Sequence, residues 1–103
     1  MEKLYLATLQ IVPGIGSARI KILLEFFGSA KKVWHADSAE LLEKKLLSNK
    51  VLSDFLLCRA KMNINKMAEE WYNKKIKILS IYDKEYPSLL KHIKNPPYVL
   101  FYK

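Results

Sequence analysis

The chain has 103 residues, half of them hydrophobic, which suffices for one compact domain and excludes a second full one. Eighteen lysine and arginine residues against ten acidic ones give a net charge of +8, which favours a polyanionic partner, with nucleic acid ahead of an anionic membrane surface. The single cysteine excludes an internal disulfide and a metal site built from cysteines.

Two helices separated by a tight turn are predicted at the start. Residues 4–11 have the apolar density of a short helix, and the Pro and Gly residues of 12–16 interrupt it. Ser17 is the predicted N-cap of the second helix, and Gly28 suits the position that ends it. The buried stripe of this helix is predicted from its spacing to be Ile20, Leu23, Leu24 and Phe27.

Two shorter helices are predicted to follow. Ser29 can cap a helix over residues 30–36. Asp37 and Glu40 have the spacing of a capping box, in which each side chain bonds the backbone N–H of the other, and would open a helix through Leu47.

One long helix is predicted next, from Ser48 or Asn49 to about Asn73, because Gly and Pro are absent from residues 50–77. Its core stripe would consist of Leu52, Phe55, Leu56, Ala60, Ile64, Met67, Ala68 and Trp71.

Strand-forming residues replace this helical pattern after residue 75. Residues 76–82 are rich in β-branched and aromatic side chains and predict a strand, and a short helix is expected at 88–93. Residues 98–102 predict a second strand, apolar throughout as in strands buried on both faces. The sequence leaves open whether the two strands pair with each other or with another molecule.

The turn at residues 12–16 is the most specific local feature. A helix, an apolar-Pro-Gly-apolar-Gly turn and a second helix form the pattern of a helix-hairpin-helix element. Its glycines would let the backbone approach a phosphate, and the next helix would offer free N–H groups and a positive dipole end. The predicted DNA-binding residues are Gly14, Gly16, Ser17, Arg19 and Lys21. The alternative is a purely structural corner between packed helices.

The sequence gives little support for catalysis or metal binding. The two histidines, His35 and His92, lie outside any acid–base or metal motif, and no nucleophile has a base beside it. We therefore predict no catalytic residue, no metal and no cofactor. Trp34, Trp71 and Tyr72 could stack on bases, but their helical spacing favours the core. No apolar run approaches the roughly 18–20 residues that span a bilayer, and a cytoplasmic location is expected.

Two segments of the sequence together resemble the N-terminal region of the DNA-processing proteins of the DprA/Smf family. The first is residues 12–16 followed by 26–30 and Trp34, and it looks like the family's helical, SAM-like or helix-hairpin-helix-like opening domain. The second is residues 78–90 followed by 96–103, and it looks like the start of the family's Rossmann-like domain. This resemblance implies a mainly α fold: a small SAM-like helical bundle with a helix-hairpin-helix-like turn over residues 1–74, then a short two-strand α/β extension over 75–103 that begins a truncated Rossmann-like domain.

The resemblance also implies a function. Proteins of this family bind incoming single-stranded DNA during natural transformation, help load the recombinase RecA and work as dimers. Those properties belong mainly to the Rossmann-like domain, whose phosphate-binding segment would lie after Lys103. We therefore expect an auxiliary module that binds DNA weakly, with RecA reached through the full-length protein. A protein-interaction, dimerisation or regulatory module without DNA binding is the alternative.

Overall fold

The computed structural model describes residues 2–103, and seven helices and two strands follow one another along that part of the chain. The molecule is mainly helical and carries a short two-stranded antiparallel extension, as the sequence predicts. The elements in chain order are α1 (Glu2–Ile11), α2 (Ser17–Phe27), α3 (Ala30–Trp34), α4 (Ser38–Lys44), α5 (Asn49–Lys61), α6 (Ile64–Asn73), β1 (Lys77–Ser80), α7 (Ser88–Lys91) and β2 (Val99–Tyr102).

Helix α1 lies at the centre of the molecule. It contacts α2, α3, α6 and both strands, and five consecutive residues, 5–9, are buried. The one polar side chain among them, Thr8, donates its hydroxyl hydrogen to the carbonyl of Leu4 at 2.7 Å, so no buried polar group is left without a partner there. The Glu2 carboxylate accepts the N–H groups of Ala30 and Lys31, which joins α1 to the start of α3.

Local capping follows the sequence closely. Ser29 and Ser48 each accept a hydrogen bond from the backbone N–H three residues later, at 3.2 and 3.3 Å, as predicted. Asp37 caps α4 by accepting the N–H of Ala39 at 3.3 Å. The reciprocal bond of a capping box is missing, because no hydrogen bond leads from Glu40 back to Asp37 in residues 2–103, so that part of the prediction is wrong.

Helix α4 ends earlier than predicted, at Lys44 rather than at Leu47. Lys45 adopts a left-handed conformation (φ 53°) and its N–H bonds the carbonyl of Leu42 at 3.3 Å. This reversal directs Leu47 into the core, where 7% of its surface is exposed. The free energy gained by burying Leu47 therefore exceeds the free energy that a longer α4 would gain.

The predicted long helix is broken in two. Met62 is extended (φ −87°, ψ 139°), and the side chain of Asn63 accepts the N–H of Lys66 at 3.1 Å and so starts α6. The break lets α6 turn back onto α1, which a straight helix could not reach. Tertiary packing thus overrides a helical pattern that contains no Gly or Pro.

The aromatic residues near this break separate into core and surface. Trp34 is buried and packs edge-on against Phe55 with ring centres 5.6 Å apart, which confirms its predicted place in the core. Trp71 is half-buried against Phe101. Tyr72 is 82% exposed, so the prediction that it belongs to the core is wrong. Ala60, predicted in the core stripe, is exposed as well.

The two strands pair with each other, antiparallel, with Lys77 opposite Tyr102 and Ser80 opposite Val99. The Gln10 side chain in α1 binds both backbone groups of Val99, accepting its N–H at 2.9 Å and donating to its carbonyl at 2.8 Å. Only Val99 of β2 is buried, since a single helix covers one face of the sheet. The predicted burial of this strand on both faces is therefore wrong. The division into regions 1–74 and 75–103 stays a prediction.

The buried pair of Trp34 and Phe55 makes the stability of the core testable. We expect Phe55→Ala to lower the free energy of unfolding by about 3–5 kcal/mol, because it removes a fully buried ring and leaves a cavity. Leu57→Ala in the same helix removes a side chain that is 56% exposed, and we expect a change of no more than about 0.5 kcal/mol. Urea unfolding followed by circular dichroism measures both, and equal effects would contradict the assigned core.

The break between α5 and α6 predicts the effect of Asn63→Ala. Loss of the cap should lower the free energy of unfolding by about 1 kcal/mol. If residues 49–73 formed one continuous helix, alanine would raise stability instead, because it is the best helix former. The same unfolding experiment distinguishes the two results by their sign.

Candidate nucleic-acid interface

The turn between α1 and α2 is held by its apolar residues. Val12 and Ile15 are buried, and the N–H of Ile15 bonds the carbonyl of Val12 at 3.1 Å. Pro13, Gly14 and Gly16 are exposed. The alternation of buried and exposed residues anchors the turn in the core while its backbone faces solvent.

The fold requires glycine at one of the two glycine positions of the turn and not at the other. Gly14 has a left-handed φ of 85°, and a Cβ there would lie 2.9 Å from Cγ2 of Val51 in α5, so the fold itself requires glycine. Gly16 has φ −98° and ψ −177°, which any residue adopts, and a Cβ would meet nothing within 4 Å. The predicted role of Gly14 therefore has a structural explanation, whereas that of Gly16 lacks one.

Gly16 is the N-cap of α2, which corrects the prediction that Ser17 caps this helix. Ser17 is instead its first residue, because the carbonyl of Gly16 already accepts the first helical bond, from the N–H of Ile20 at 3.0 Å. No side chain caps α2, and within residues 2–103 the N–H groups of Ser17, Ala18 and Arg19 have no hydrogen-bond acceptor. These three N–H groups lie at the positive end of the helix dipole, next to the exposed residue Gly16.

The other N-termini contrast with this one. Helices α3, α4, α5 and α6 each donate a backbone N–H to a capping side chain, and α3 also donates to the Glu2 carboxylate. Helix α7 also lacks a side-chain cap but has only four residues, so its dipole is small. Among helices α2 to α7, the start of α2 is therefore the N-terminus of a long helix that remains open to an external anion.

The predicted basic residues do not converge. Lys21 lies one turn after Ser17, and both line a cavity of about 250 Å³ between α2 and the extension. Arg19 is exposed and does not line this cavity, because residues two positions apart on a helix point in different directions. The structure thus brings Ser17 and Lys21 together and leaves Arg19 beside them.

The far wall of this cavity was missed by the sequence reasoning. It consists of residues from the segment that connects β1 to β2: Ile81, Ile93, Asn95, Pro96 and Tyr98. Burial raises the pKa of the Tyr98 hydroxyl, and Tyr82 and Glu25 raise it further, so the hydroxyl stays protonated at neutral pH. No local sequence signal could have indicated this wall, since it forms only when the extension packs beside α2.

The surrounding charge is mostly unneutralised. Of the 18 lysine and arginine residues, only Lys3 and Lys74 lie within 4.0 Å of a carboxylate in the described part of the chain. Arg59 is engaged differently, because its guanidinium donates to the carbonyls of Trp34 and Ala36 at the end of α3. Unpaired positive charge around the start of α2 favours a polyanion there.

Residues 2–103 contain no group of three or more histidine, cysteine, aspartate or glutamate side chains that could hold a metal ion. Over the same residues, no helix has the length and apolar character needed to cross a membrane.

The different roles of the two glycines can be tested by stability. We expect Gly14→Ala to destabilise the protein by about 1–3 kcal/mol, from the left-handed φ and the contact with Val51 together. Gly16→Ala should change stability by less than about 0.5 kcal/mol. Adding Val51→Ala to Gly14→Ala separates the two costs, since it removes the steric part in that background and leaves the conformational one. Equal effects of the two glycine variants in thermal unfolding would disprove the distinction.

Comparison with known proteins gives one informative similarity. The chain is 30% identical over 101 residues to Protein Smf of Synechocystis, an alignment that includes 98% of this chain. The chain spans about a quarter of the length of that relative. No protein-family model matches the chain, and no solved structure matches it.

Proposed function

We propose that this chain is an auxiliary module of a DNA-processing protein of the DprA/Smf family and that it binds DNA weakly, without sequence preference, at the start of α2. The similarity to Protein Smf supports the family and DNA processing. The observation that carries the binding site is the uncapped N-terminus of α2, where within residues 2–103 three N–H groups have no acceptor, beside Gly16 and Lys21.

The proposed contact is to phosphate. Gly16 has no side chain, so a phosphate oxygen can approach the N–H groups of Ser17, Ala18 and Arg19. The exposed side chains of Arg19 and Lys21 add charge from two directions. Contacts of this kind position a nucleic acid strand and carry no base information, which is why the proposal specifies binding without sequence preference.

The remaining functional expectations belong to the longer protein. We propose that single-stranded DNA handling in natural transformation, RecA loading and dimer formation in the cytoplasm depend on regions that the family's full-length members possess. For this chain we propose binding without catalysis. Within residues 2–103, His35 has the Tyr5 hydroxyl as its hydrogen-bond partner, at 3.2 Å, and neither His35 nor His92 belongs to a group of three or more side chains that could hold a metal ion.

The alternative is a protein-interaction module, and one surface favours it. Helices α4 and α5 enclose an apolar groove of about 420 Å³, and Leu42 at its rim is 57% exposed. Such a groove can receive an apolar side chain of a partner or of a second copy. Sedimentation over a range of concentrations tests the self-association version of this alternative.

The proposed site predicts that Gly16→Asp weakens DNA binding about tenfold or more while leaving the fold intact. The new carboxylate can cap α2, so stability should stay within about 0.5 kcal/mol or rise. It also occupies the place of the phosphate with a negative charge. Fluorescence anisotropy of labelled single- and double-stranded oligonucleotides measures affinity, and Ala39→Asp, which adds one exposed negative charge on α4, is the matched control.

The same titration examines the basic side chains. Arg19→Ala with Lys21→Ala should weaken binding and reduce the slope of log affinity against log salt by about 1.4 for single strands, as expected for two lost phosphate contacts. Lys31→Ala with Lys32→Ala removes the same charge from α3. Equal losses in both pairs would show that only net charge matters, and no binding at low salt would leave the interaction module as the remaining function.

A further inference from the structure

The outer edge of β1 has an opening, a position at which the backbone N–H and carbonyl lack hydrogen-bond partners. The N–H of Ile81 donates to the carbonyl of the opposite residue Tyr98 at 2.8 Å, so alternate residues face β2 and Ile78 directs its N–H and carbonyl outward. Within the described part of the chain neither group of Ile78 has a hydrogen-bond partner.

The positions beside Ile78 are protected, which confines the opening. The N–H of Ile76 donates to the carbonyl of Trp71 at 2.8 Å, and the N–H of Ser80 donates to the Asp83 carboxylate at 2.8 Å. On the outer edge of β2, the Gln10 side chain binds the backbone groups of Val99, whereas those of Phe101, which the same alternation directs outward, have no partner in the described part of the chain. The opening at Ile78 is therefore available to a short extended segment.

A cavity of about 550 Å³ lies next to this opening, between the end of α6 and the start of β1. Tyr72 at its wall is 82% exposed, and Ile76 forms its apolar floor. Lys75 and Lys77 also line it, and neither has a carboxylate within 4.0 Å among residues 2–103. The surface thus combines an unpaired backbone position, an apolar pocket and two free positive charges.

We propose that this surface, the β1 edge patch (Tyr72, Lys75, Ile76, Lys77 and Ile78), binds an acidic protein segment in an extended conformation. The segment adds to β1 through both backbone groups of Ile78, places an apolar side chain against Tyr72, and pairs its carboxylates with the two lysines. Backbone bonds supply affinity and the charges select an acidic sequence.

The chemistry of the patch favours this occupant over two others. A second copy joined edge to edge through Ile78 would place Lys77 diagonally opposite the Lys77 of that copy on the same face of the sheet, where the like charges of these long side chains repel each other. A DNA backbone offers hydrogen-bond acceptors alone, so its phosphates would leave the carbonyl of Ile78 without a donor. A peptide backbone provides a donor and an acceptor at the required spacing.

The experiment compares two fluorescein-labelled peptides of about ten residues, each alternating aspartate with valine or isoleucine. One peptide is unmodified, and the other is N-methylated at alternate residues, which removes its edge donors and leaves its charge unchanged. In anisotropy titrations with the full chain, the unmodified peptide should bind at least about tenfold more tightly. In the complex, amide exchange at Ile78 should slow, while exchange at an exposed loop position such as Glu85 stays unchanged.

Protein variants test the charges independently. Lys75→Glu with Lys77→Glu should weaken the unmodified peptide about tenfold or more, whereas Lys31→Glu with Lys32→Glu should have a much smaller effect. Equal binding of the two peptides, or unchanged exchange at Ile78, would overturn the proposal. If an oligothymidylate binds and slows amide exchange at this patch and the peptide does not, the ligand of the patch is a nucleic acid and not an acidic protein segment. The residues differ from those at the start of α2, so failure here leaves the proposed function untouched.

Discussion

Burial of helix α1 on all sides is the constraint on which the other elements depend. Residues 5–9 are buried without interruption, so this helix must be covered by several neighbours rather than by one face of a bundle. Its two ends fix the neighbours in place, since Glu2 binds the start of α3 and Gln10 binds β2. The extension and the helices consequently share one core, in which Val99 lies with the α1 residues.

This arrangement explains which features could be predicted from the sequence. Capping by Ser29 and Ser48 depends on residues a few positions apart. It was predicted correctly because the interactions that decide it are local. The break at Asn63 was missed because no local residue forbids a helix there, and the benefit comes from docking α6 on α1. Tyr72 was misplaced for a different reason: it directly follows Trp71 and so lies off the half-buried face of α6, which consists of Ile64, Met67, Ala68 and Trp71.

The candidate site shows the same division between local and tertiary information. The Pro-Gly pattern correctly predicted a turn with an exposed backbone between two helices. Neither the sequence spacing nor glycine propensity could separate Gly14 from Gly16, because the difference rests on the approach of Val51 from α5. The structural alternative and the phosphate hypothesis thus each explain one glycine, and they are compatible in a single turn. The convergence of Ser17 and Lys21 with Tyr98 likewise required the extension to be in place.

The distribution of charge explains why short-range groups must decide what this protein binds. With a net charge of +8 and few lysines paired, attraction to any polyanion is long-ranged and is screened beyond about 8–10 Å at physiological salt. Such attraction raises encounter rates for nucleic acids and acidic proteins alike. Discrimination then comes from backbone groups that only one partner can satisfy. Three N–H donors at α2 match a phosphate, which accepts hydrogen bonds, whereas the donor and acceptor of Ile78 match a peptide, which does both. The two proposed sites on this basic surface therefore differ in the ligand that they fit. Hydrogen-bond geometry, which charge alone does not provide, determines that difference.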